Sequence, residues 1–182
     1  MIIQMDIDGV LADLHTPWLA WYNYMWNDHL TVADIHSWDI QKYVKPACGT
    51  SIFDYLDFRW RYRDEVEPYP YAKEFVERLQ QRHRVVFVTR EVMTLGCPGR
   101  KFDWLKQHGF TVAQEDYVEC HDKSLIMKDV AIDDNPEYLK GARIRMLFDQ
   151  PWNRSALPLY QYDFRIDASI LSDVIDYLNK EP

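Results

Sequence analysis

Residues 1–13, with the sequence MIIQMDIDGVLAD, decide the fold of this chain. The first seven residues are mainly apolar, and the run breaks at Gly9. A short apolar run that ends in a turn is typical of a buried parallel strand. Asp6 and Asp8 stand where this predicted strand ends, and ligands bind beyond the carboxyl ends of strands in open parallel sheets. We therefore expect both acids at a ligand-binding edge.

Residues 14–69 differ in character, because they are rich in aromatic residues and give no strand signal. Several side chains recur there at helical spacing, namely Trp18, Trp21, Tyr22 and Met25. Pro68 and Pro70 mark the return of the chain to the first pattern. We predict a core formed by residues 1–13 and 70–182, and a small, mainly helical cap formed by residues 14–69.

Beyond residue 70 the sequence alternates between strand-like and helix-like segments. Apolar runs predict strands at residues 84–88, 117–119, 129–132 and 144–148. Helical spacing and capping signals predict helices at residues 71–82, 99–108, 136–140 and 168–179. Strands separated by helices indicate an α/β fold with a parallel sheet flanked by helices.

The composition restricts the classes of function. The chain has 182 residues, of which 47% are hydrophobic, so a folded core is expected. Lys plus Arg number 21 and Asp plus Glu number 29, which gives 21 − 29 = −8. A net acidic chain is a poor binder of polymeric nucleic acid, since that function needs a basic surface.

The sequence also predicts where the protein works. No apolar run reaches a membrane-spanning length, and the N-terminus lacks the basic region of a signal peptide, so we expect no membrane partner. Cys48, Cys97 and Cys120 are widely spaced and fit neither a disulfide framework nor a zinc site. Reduced thiols in a cytoplasmic protein are the favoured interpretation. Whether the chain forms a homodimer is left open.

Two further predicted strands end in polar residues that suit phosphate and metal chemistry. One ends in Thr89-Arg90 and a later one in Asp133-Asp134. If these strands are neighbours of the first, four carboxylates meet at one edge, an arrangement that is destabilising without a counter-charge. A divalent cation resolves the conflict, because Mg²⁺ takes carboxylate oxygens together with waters and a phosphate. The sequence therefore predicts a Mg²⁺ site.

These residues resemble the four motifs of the haloacid-dehalogenase (HAD) superfamily. Residues 6–13 look like motif I, Val88-Thr89 like motif II, Lys123 like motif III, and Asp133-Asp134 like motif IV. All four occur in the expected order and span most of the chain outside the cap. The resemblance implies a Rossmann-like HAD core with a helical cap inserted after motif I.

A narrower resemblance is to the 5′(3′)-deoxyribonucleotidase family. It is carried by DIDGVLAD, by the inserted cap, by Cys97-Pro98 before a helix, by Asp122-Lys123, and by residues 150–154 (QPWNR). Two positions depart from that family. Leu14 stands where its members have an aromatic residue that contacts the base, and Arg90 stands where many have Ser or Ala.

The resemblance implies that Asp6 is the nucleophile, which would attack phosphorus and form an aspartyl-phosphate. Asp8 would be the general acid and base, and its backbone carbonyl would also contact the metal. The alternatives from the residues alone are a helix cap or turn for Asp6 and an Asx turn with Gly9 for Asp8. Dehalogenases of the superfamily lack the second Asp, so its presence favours phosphoryl chemistry.

The remaining motif residues would hold the metal and the phosphate. Asp133 would bind Mg²⁺ directly, and Asp134 would be its partner or an alternative ligand. Thr89 and Lys123 would bind the phosphate, although Lys128 is a rival for the motif III lysine. Other interpretations are helix capping for the two acids, a structural Thr at a strand end, and a solvated Lys.

Other side chains keep two interpretations. Arg90 would bind phosphate or nucleotide, or form a surface salt bridge. Asp13 is expected to fix the motif I loop. The cap aromatics would stack a base, form the core of the cap, or do both.

The sequence thus predicts a Mg²⁺-dependent phosphomonoester hydrolase, by resemblance a 5′(3′)-deoxyribonucleotidase acting on nucleoside monophosphates. One competing function is a HAD phosphatase or phosphomutase acting on a sugar or another small metabolite. The other is a nucleotide-binding protein that has lost activity.

Overall fold

A parallel sheet of six strands forms the centre of the computed structural model, which describes residues 1–57, 59–90, 99–155 and 162–181. The strands in chain order are β1 (Ile2–Met5), β2 (Ala12–Asp13), β3 (Glu67–Pro68), β4 (Arg84–Thr89), β5 (Tyr117–Glu119), β6 (Val130–Asp133), β7 (Ile144–Phe148) and β8 (Phe164–Ile166). The large sheet has the order β5-β4-β1-β6-β7-β8, and every neighbouring pair is parallel.

The strand β1 lies inside this sheet, and its residues Ile3, Gln4 and Met5 are all buried. Ile3 pairs with Val85 of β4 on one side and with Val130 of β6 on the other. All three side chains are buried. This is the pattern expected of a parallel strand covered on both faces, and it brings the carboxyl ends of β4, β1 and β6 side by side.

Within the described residues, five α-helices accompany the strands. They are α1 (His15–Trp26), α2 (Arg59–Glu65), α3 (Ala72–Gln80), α4 (Arg100–Gln107) and α5 (Leu171–Leu178). The apolar faces of α3 and α5 pack against each other, with Phe75 and Val174 among their buried residues. The α/β fold predicted from the sequence is confirmed.

Short 3₁₀-helices supply much of the remaining structure. They span Val32–Asp34, Ile40–Lys42, Gly49–Asp57, Gln114–Asp116, Lys123–Leu125, Pro136–Leu139, Pro151–Asn153 and Ala168–Ile170. Asn135 caps the helix that begins at Pro136, since its side chain accepts a hydrogen bond from the Glu137 amide.

Three strands were not predicted from the sequence. β2, and β3 within the mainly helical residues 14–69, pair antiparallel with each other. A two-residue strand that contains a proline carries no alternating apolar pattern, so the sequence gives no signal for it. The edge strand β8 was also missed, because its three residues are too few for such a pattern.

The described residues include two of the three cysteines and can be searched for membrane-spanning helices. Cys48 and Cys120 are free thiols, whereas Cys97 and Pro98 lie outside the described residues. No helix within the described residues is long and apolar enough to cross a membrane.

Candidate active site

The loop that follows β1 turns the chain sharply and exposes two acids on the way. The backbone amides of Leu11 and Ala12 both donate to the Ile7 carbonyl, at 2.8 Å. Gly9 has a φ of +76°, and a Cβ atom at this position would collide with the Asp134 carboxylate. Glycine is therefore required twice, for the left-handed backbone and for the close approach of the acid.

Three carboxylates meet beyond the ends of β1 and β6. Asp6, Asp133 and Asp134 are all buried, and each offers an oxygen within 4.8 Å of the others. The buried Lys123 contacts two of them, because its Nζ lies 2.6 Å from Asp6 Oδ1 and 2.8 Å from Asp133 Oδ2. A single ammonium in direct contact leaves this cluster with an excess of negative charge.

Burial makes that charge costly. Desolvation raises the pKa of Asp133 to about 7, and the neighbouring Asp6 charge adds to the effect. The pKa of Asp134 is raised well above its usual value, by burial first and then by the charge of Asp6. Burial also raises the pKa of Asp6, although Lys123 opposes the shift. A hard divalent cation would supply the missing positive charge.

The free oxygens of the cluster suit such a cation. Lys123 occupies one oxygen of Asp6, and the indole Nε1 of Trp152 donates to Asp134 Oδ2 at 2.9 Å. The second oxygens of Asp6 and Asp134 remain for a metal, whereas Asp133 accepts from Lys123 with one oxygen and from the Asn135 amide with the other. Carboxylate oxygens suit hard cations such as Mg²⁺ better than they suit softer metals. Three buried carboxylates with converging oxygens are therefore a suitable set of ligands for Mg²⁺.

A second group of side chains surrounds Asp8. Lys101 Nζ lies 2.6 Å from Asp8 Oδ2, and Tyr62 Oη donates to Asp8 Oδ1 at 2.5 Å. Lys101 also donates to Thr89 Oγ1 at 2.7 Å. Although burial alone would raise the pKa of Asp8, its contacts with Lys101 and Tyr62 lower it. Without a ligand these contacts favour the ionised form of Asp8, whereas a negatively charged group bound beside it would favour the protonated form.

The segment of residues 150–154 holds the two acid loops together. Gln150 Nε2 donates to the Gly9 carbonyl at 2.5 Å, while Asn153 Nδ2 donates to the Asp134 carbonyl at 2.8 Å. Trp152 between them bonds the Asp134 carboxylate. These contacts give the Gln-Pro-Trp-Asn sequence a structural role that its resemblance alone did not define.

The acids line a cavity of about 210 Å³, which is smaller than the roughly 300–1,000 Å³ of most small-molecule sites. Asp6, Asp8, Thr89 and Lys123 form its polar floor. Apolar side chains of the insertion face them, namely Leu14, Trp18, Ile35, Trp38, Phe53 and Leu56. The lining of the cavity thus combines charged groups with aromatic and apolar side chains.

His15 adds an uncharged polar group to this cavity. Its ring stacks on that of Trp152, with 3.9 Å between the centroids. Burial lowers the pKa of His15 to about 4, so the imidazole is neutral at pH 7.

The structure places every predicted site residue at or next to this cavity. Asp6, Asp133 and Asp134 bring oxygens within 4.8 Å of one another, and Lys123 contacts Asp6 and Asp133. Arg90 is exposed and lines the cavity, where its guanidinium donates to Tyr138 Oη at 3.1 Å.

Lys128, the rival of Lys123, is also buried, but it bonds to groups outside the acid cluster. Its ammonium donates to Gln4 Oε1 and to the Lys123 carbonyl, both at 2.8 Å. Burial lowers its pKa to about 8. Lys128 thus supports the loop that carries Lys123, and it is Lys123 that reaches the acids.

Sequence reasoning missed Tyr62 and Lys101. Tyr62 lies in the aromatic insertion, where no single ring stands out by its spacing. Lys101 is the second residue of α4 and follows the Cys-Pro sequence noted above. Lys101 is only 2% exposed. The sequence would have indicated this only if the position had been assigned to the inward face of the helix.

Asp13 has the structural role expected of it. Its carboxylate accepts hydrogen bonds from the amide and the hydroxyl of Thr16, at 3.2 Å and 2.7 Å. It thereby ties the end of the motif I loop to the first turn of α1.

A family model described as "5' nucleotidase, deoxy (Pyrimidine), cytosolic type C protein" matches residues 1–168. The chain belongs to this nucleotidase family. One relative, a 5'(3')-deoxyribonucleotidase of Clostridium acetobutylicum, is 34% identical over 156 residues and covers 84% of each chain. As a member of this family, the chain is a phosphoric monoester hydrolase.

Solved structures show the same fold. A HAD family hydrolase from Deinococcus radiodurans with bound phosphate and sodium aligns with a TM-score of 0.68 at 15% identity, covering 98% of this chain and 95% of its own. A putative HAD hydrolase of Bacillus subtilis bound to magnesium aligns with a TM-score of 0.55 at 12% identity, covering 98% of both chains. The nucleotidase-family chain therefore has a HAD fold.

Proposed function

We propose that this chain is a Mg²⁺-dependent 5′(3′)-deoxyribonucleotidase, which hydrolyses nucleoside monophosphates through an aspartyl-phosphate on Asp6. The observation that carries this proposal is the cluster of three buried carboxylates in contact with Lys123 at the floor of an aromatic-walled cavity. Packing alone gives no reason to bury these acids together, whereas a cation and a phosphate between them would balance the charge.

Asp6 is the proposed nucleophile. Its carboxylate would attack phosphorus and expel the nucleoside oxygen, and water would then cleave the aspartyl-phosphate. Lys123, in contact with Asp6 Oδ1, would offset the negative charge of the phosphoryl group as that charge builds up. Thr89 and Arg90 lie at the same cavity and would donate hydrogen bonds to the phosphate oxygens.

Asp8 is the proposed general acid and base. It would give a proton to the departing alkoxide in the first step and take one from the attacking water in the second. The substrate must displace or share the hydrogen bond that Tyr62 now makes with Asp8, since the leaving oxygen needs one carboxylate oxygen free.

Asp6, Asp133 and Asp134 would hold the metal, together with the backbone carbonyl of Asp8 that the family resemblance assigns. Mg²⁺ bound there would neutralise phosphoryl oxygens and orient the phosphate for in-line attack. The Bacillus subtilis neighbour, which is bound to magnesium, supports this choice of metal.

The aromatic side of the cavity supports a nucleoside as the organic part of the substrate. Trp18, Trp38 and Phe53 present ring surfaces opposite the acids, and a stacked base contributes about 1–3 kcal/mol. Residues 14–69, which supply these rings, are proposed to act as the cap. A cytoplasmic location and a homodimer stay predictions from the sequence.

A substrate screen tests the proposed function. The purified protein is incubated with Mg²⁺ and a panel of deoxyribonucleoside and ribonucleoside 5′- and 3′-monophosphates, with sugar phosphates as the comparison set, and released phosphate is measured. Turnover of nucleotides that disappears with EDTA and returns with Mg²⁺ supports the proposal. Good turnover of sugar phosphates beside none of any nucleotide would refute the nucleotidase assignment.

A further inference from the structure

Lys101 is a buried lysine that contacts both Asp8 and Thr89. It lies at the start of α4, is 2% exposed, and points toward the site from behind the cavity wall. Its Nζ lies 2.6 Å from Asp8 Oδ2, 2.7 Å from Thr89 Oγ1 and 3.1 Å from the Arg90 carbonyl. An ammonium has three N–H groups, so these three acceptors fix its orientation.

We propose that Lys101 is a positioning residue, which aligns Asp8 and Thr89 for phosphoryl transfer without touching the substrate. This inference rests on the proposed function, because Asp8 and Thr89 have their roles there. Lys101 itself gains and loses no proton. The proton that Asp8 gives to the leaving alkoxide is replaced by the one that it takes from water.

The alignment of Asp8 follows from its two contacts. One oxygen of its carboxylate receives Lys101, and the other receives Tyr62, which belongs to the insertion. Held from both sides, the carboxylate plane cannot rotate freely. If Tyr62 is displaced by substrate, Lys101 is the contact that still holds Asp8 in place, since it approaches from the core.

The alignment of Thr89 follows from the nature of a hydroxyl. Its oxygen accepts the hydrogen bond from Lys101, so its own O–H must point elsewhere. Thr89 lines the cavity, and the cavity is where a phosphate oxygen would accept that hydrogen. Lys101 thereby makes Thr89 a donor toward the substrate.

The two substitutions Lys101→Met and Lys101→Arg test this role. Methionine keeps the length and apolar body of the side chain but removes its three donors, whereas arginine keeps donors and charge. Lys106→Met is the matched control, because Lys106 is an exposed residue of the same helix. Circular dichroism and thermal unfolding establish that each variant is folded.

We expect Lys101→Met to lower kcat for a nucleoside monophosphate about 100-fold, the size of effect seen when an aligned donor is removed, while KM changes less than about threefold. Lys101→Arg should recover part of this loss, and Lys106→Met should show none. A kcat for Lys101→Met within about threefold of wild type, or no recovery with arginine, would overturn the proposal.

The leaving group separates an action through Asp8 from general damage to the site. 4-Nitrophenyl phosphate departs without needing a proton, so a misaligned Asp8 should matter less for it. We expect the loss in kcat to be about tenfold smaller on this substrate than on the nucleotide. Equal losses on both substrates would contradict alignment of Asp8 by Lys101.

Binding of orthovanadate, a mimic of the transferring phosphoryl group, keeps the test independent of turnover. In the presence of Mg²⁺ its affinity should fall about tenfold or more in Lys101→Met and stay unchanged in Lys106→Met. If the wild-type protein hydrolyses no phosphomonoester, the proposed function fails. In that case the affinity for orthovanadate alone tests the positioning role of Lys101. Equal affinities of Lys101→Met and Lys106→Met would overturn that role.

Discussion

The sheet edge that carries Asp6 and the insertion that faces it share one cavity but are held together by different forces. At the sheet edge, Lys123 and Asp133 form short, buried, charged contacts. In the insertion, aromatic rings form the interior, and single hydrogen bonds such as that from Trp18 Nε1 to the Ile52 carbonyl at 2.6 Å fix them.

This contrast suggests a division of labour. Charged groups at fixed positions can stabilise a developing charge, so the sheet edge should determine the rate of the chemical step. Stacked rings tolerate many partners, so the insertion should determine which substrate binds and how tightly. Substitutions at the edge should then act on kcat, and substitutions of lining rings should act on KM.

The largest effect is expected from Asp6→Asn. The amide is nearly the same size but is a poor nucleophile, so kcat should fall by at least about 10⁴-fold. Initial-rate measurements on a nucleoside monophosphate check this, with Asp176→Asn on the exposed face of α5 as the control. If the Asp6 variant kept the activity of the parent, the covalent mechanism would be wrong.

The sheet edge and the insertion also differ in how much of their structure can be predicted from the sequence. Asp6, Thr89 and Asp133 could be placed from sequence because each ends an apolar run, and parallel strands bring such ends to one edge. Their shared position at that edge depends only on the strand topology.

The insertion could be predicted as helical but no further. The contact between Tyr62 and Asp8 depends on how residues 14–69 fold back over the core, and β3, which fixes that return, has no periodic signal. Lys101 was missed for a related reason, because its function appears only when α4 is placed beside the end of β4.

A smaller but double effect is expected from Lys123→Met, which removes the cation from the acid cluster. The rate should fall about 10²–10³-fold. Without metal, the free energy of unfolding should also fall by about 3 kcal/mol or more, because buried carboxylates lose their charged partner. Urea unfolding in EDTA measures this change.

Lys180→Met on the protein surface is the control for this variant. Mg²⁺ should restore part of the lost stability if it binds the same carboxylates. A variant as stable as the wild type in EDTA would show that Lys123 does not balance the cluster.

Mg²⁺ should stabilise the protein more at high pH than at low pH. Asp133 has a pKa of about 7 in the folded protein, against a usual value of 3.8. Its protonation therefore contributes stability that is fully present below about pH 4 and lost as the pH rises through about 7. Mg²⁺ needs the ionised carboxylate, so its binding competes with that proton.

The increase in melting temperature on replacing EDTA with Mg²⁺ should accordingly be larger at pH 8 than at pH 6, by the equivalent of about 1 kcal/mol. Asp133→Asn should remove both the increase and its dependence on pH. An increase of equal size at the two pH values in the wild type would place the metal away from Asp133.

The smallest expected effect, and the one that tests the insertion, comes from Trp38→Ala. Trp38 lines the cavity and contacts the ring of Trp152 edge-on, with 5.9 Å between centroids. Trp60 is the matched control, because it is another insertion tryptophan, is equally exposed at 47%, and does not line that cavity. If Trp38 stacks on the base, its loss should raise KM about 5- to 50-fold, with kcat nearly unchanged.

Trp60→Ala should change neither constant. Should both variants behave alike, or should kcat fall with KM constant for Trp38→Ala, the division between a catalytic edge and a substrate-selecting insertion would not hold.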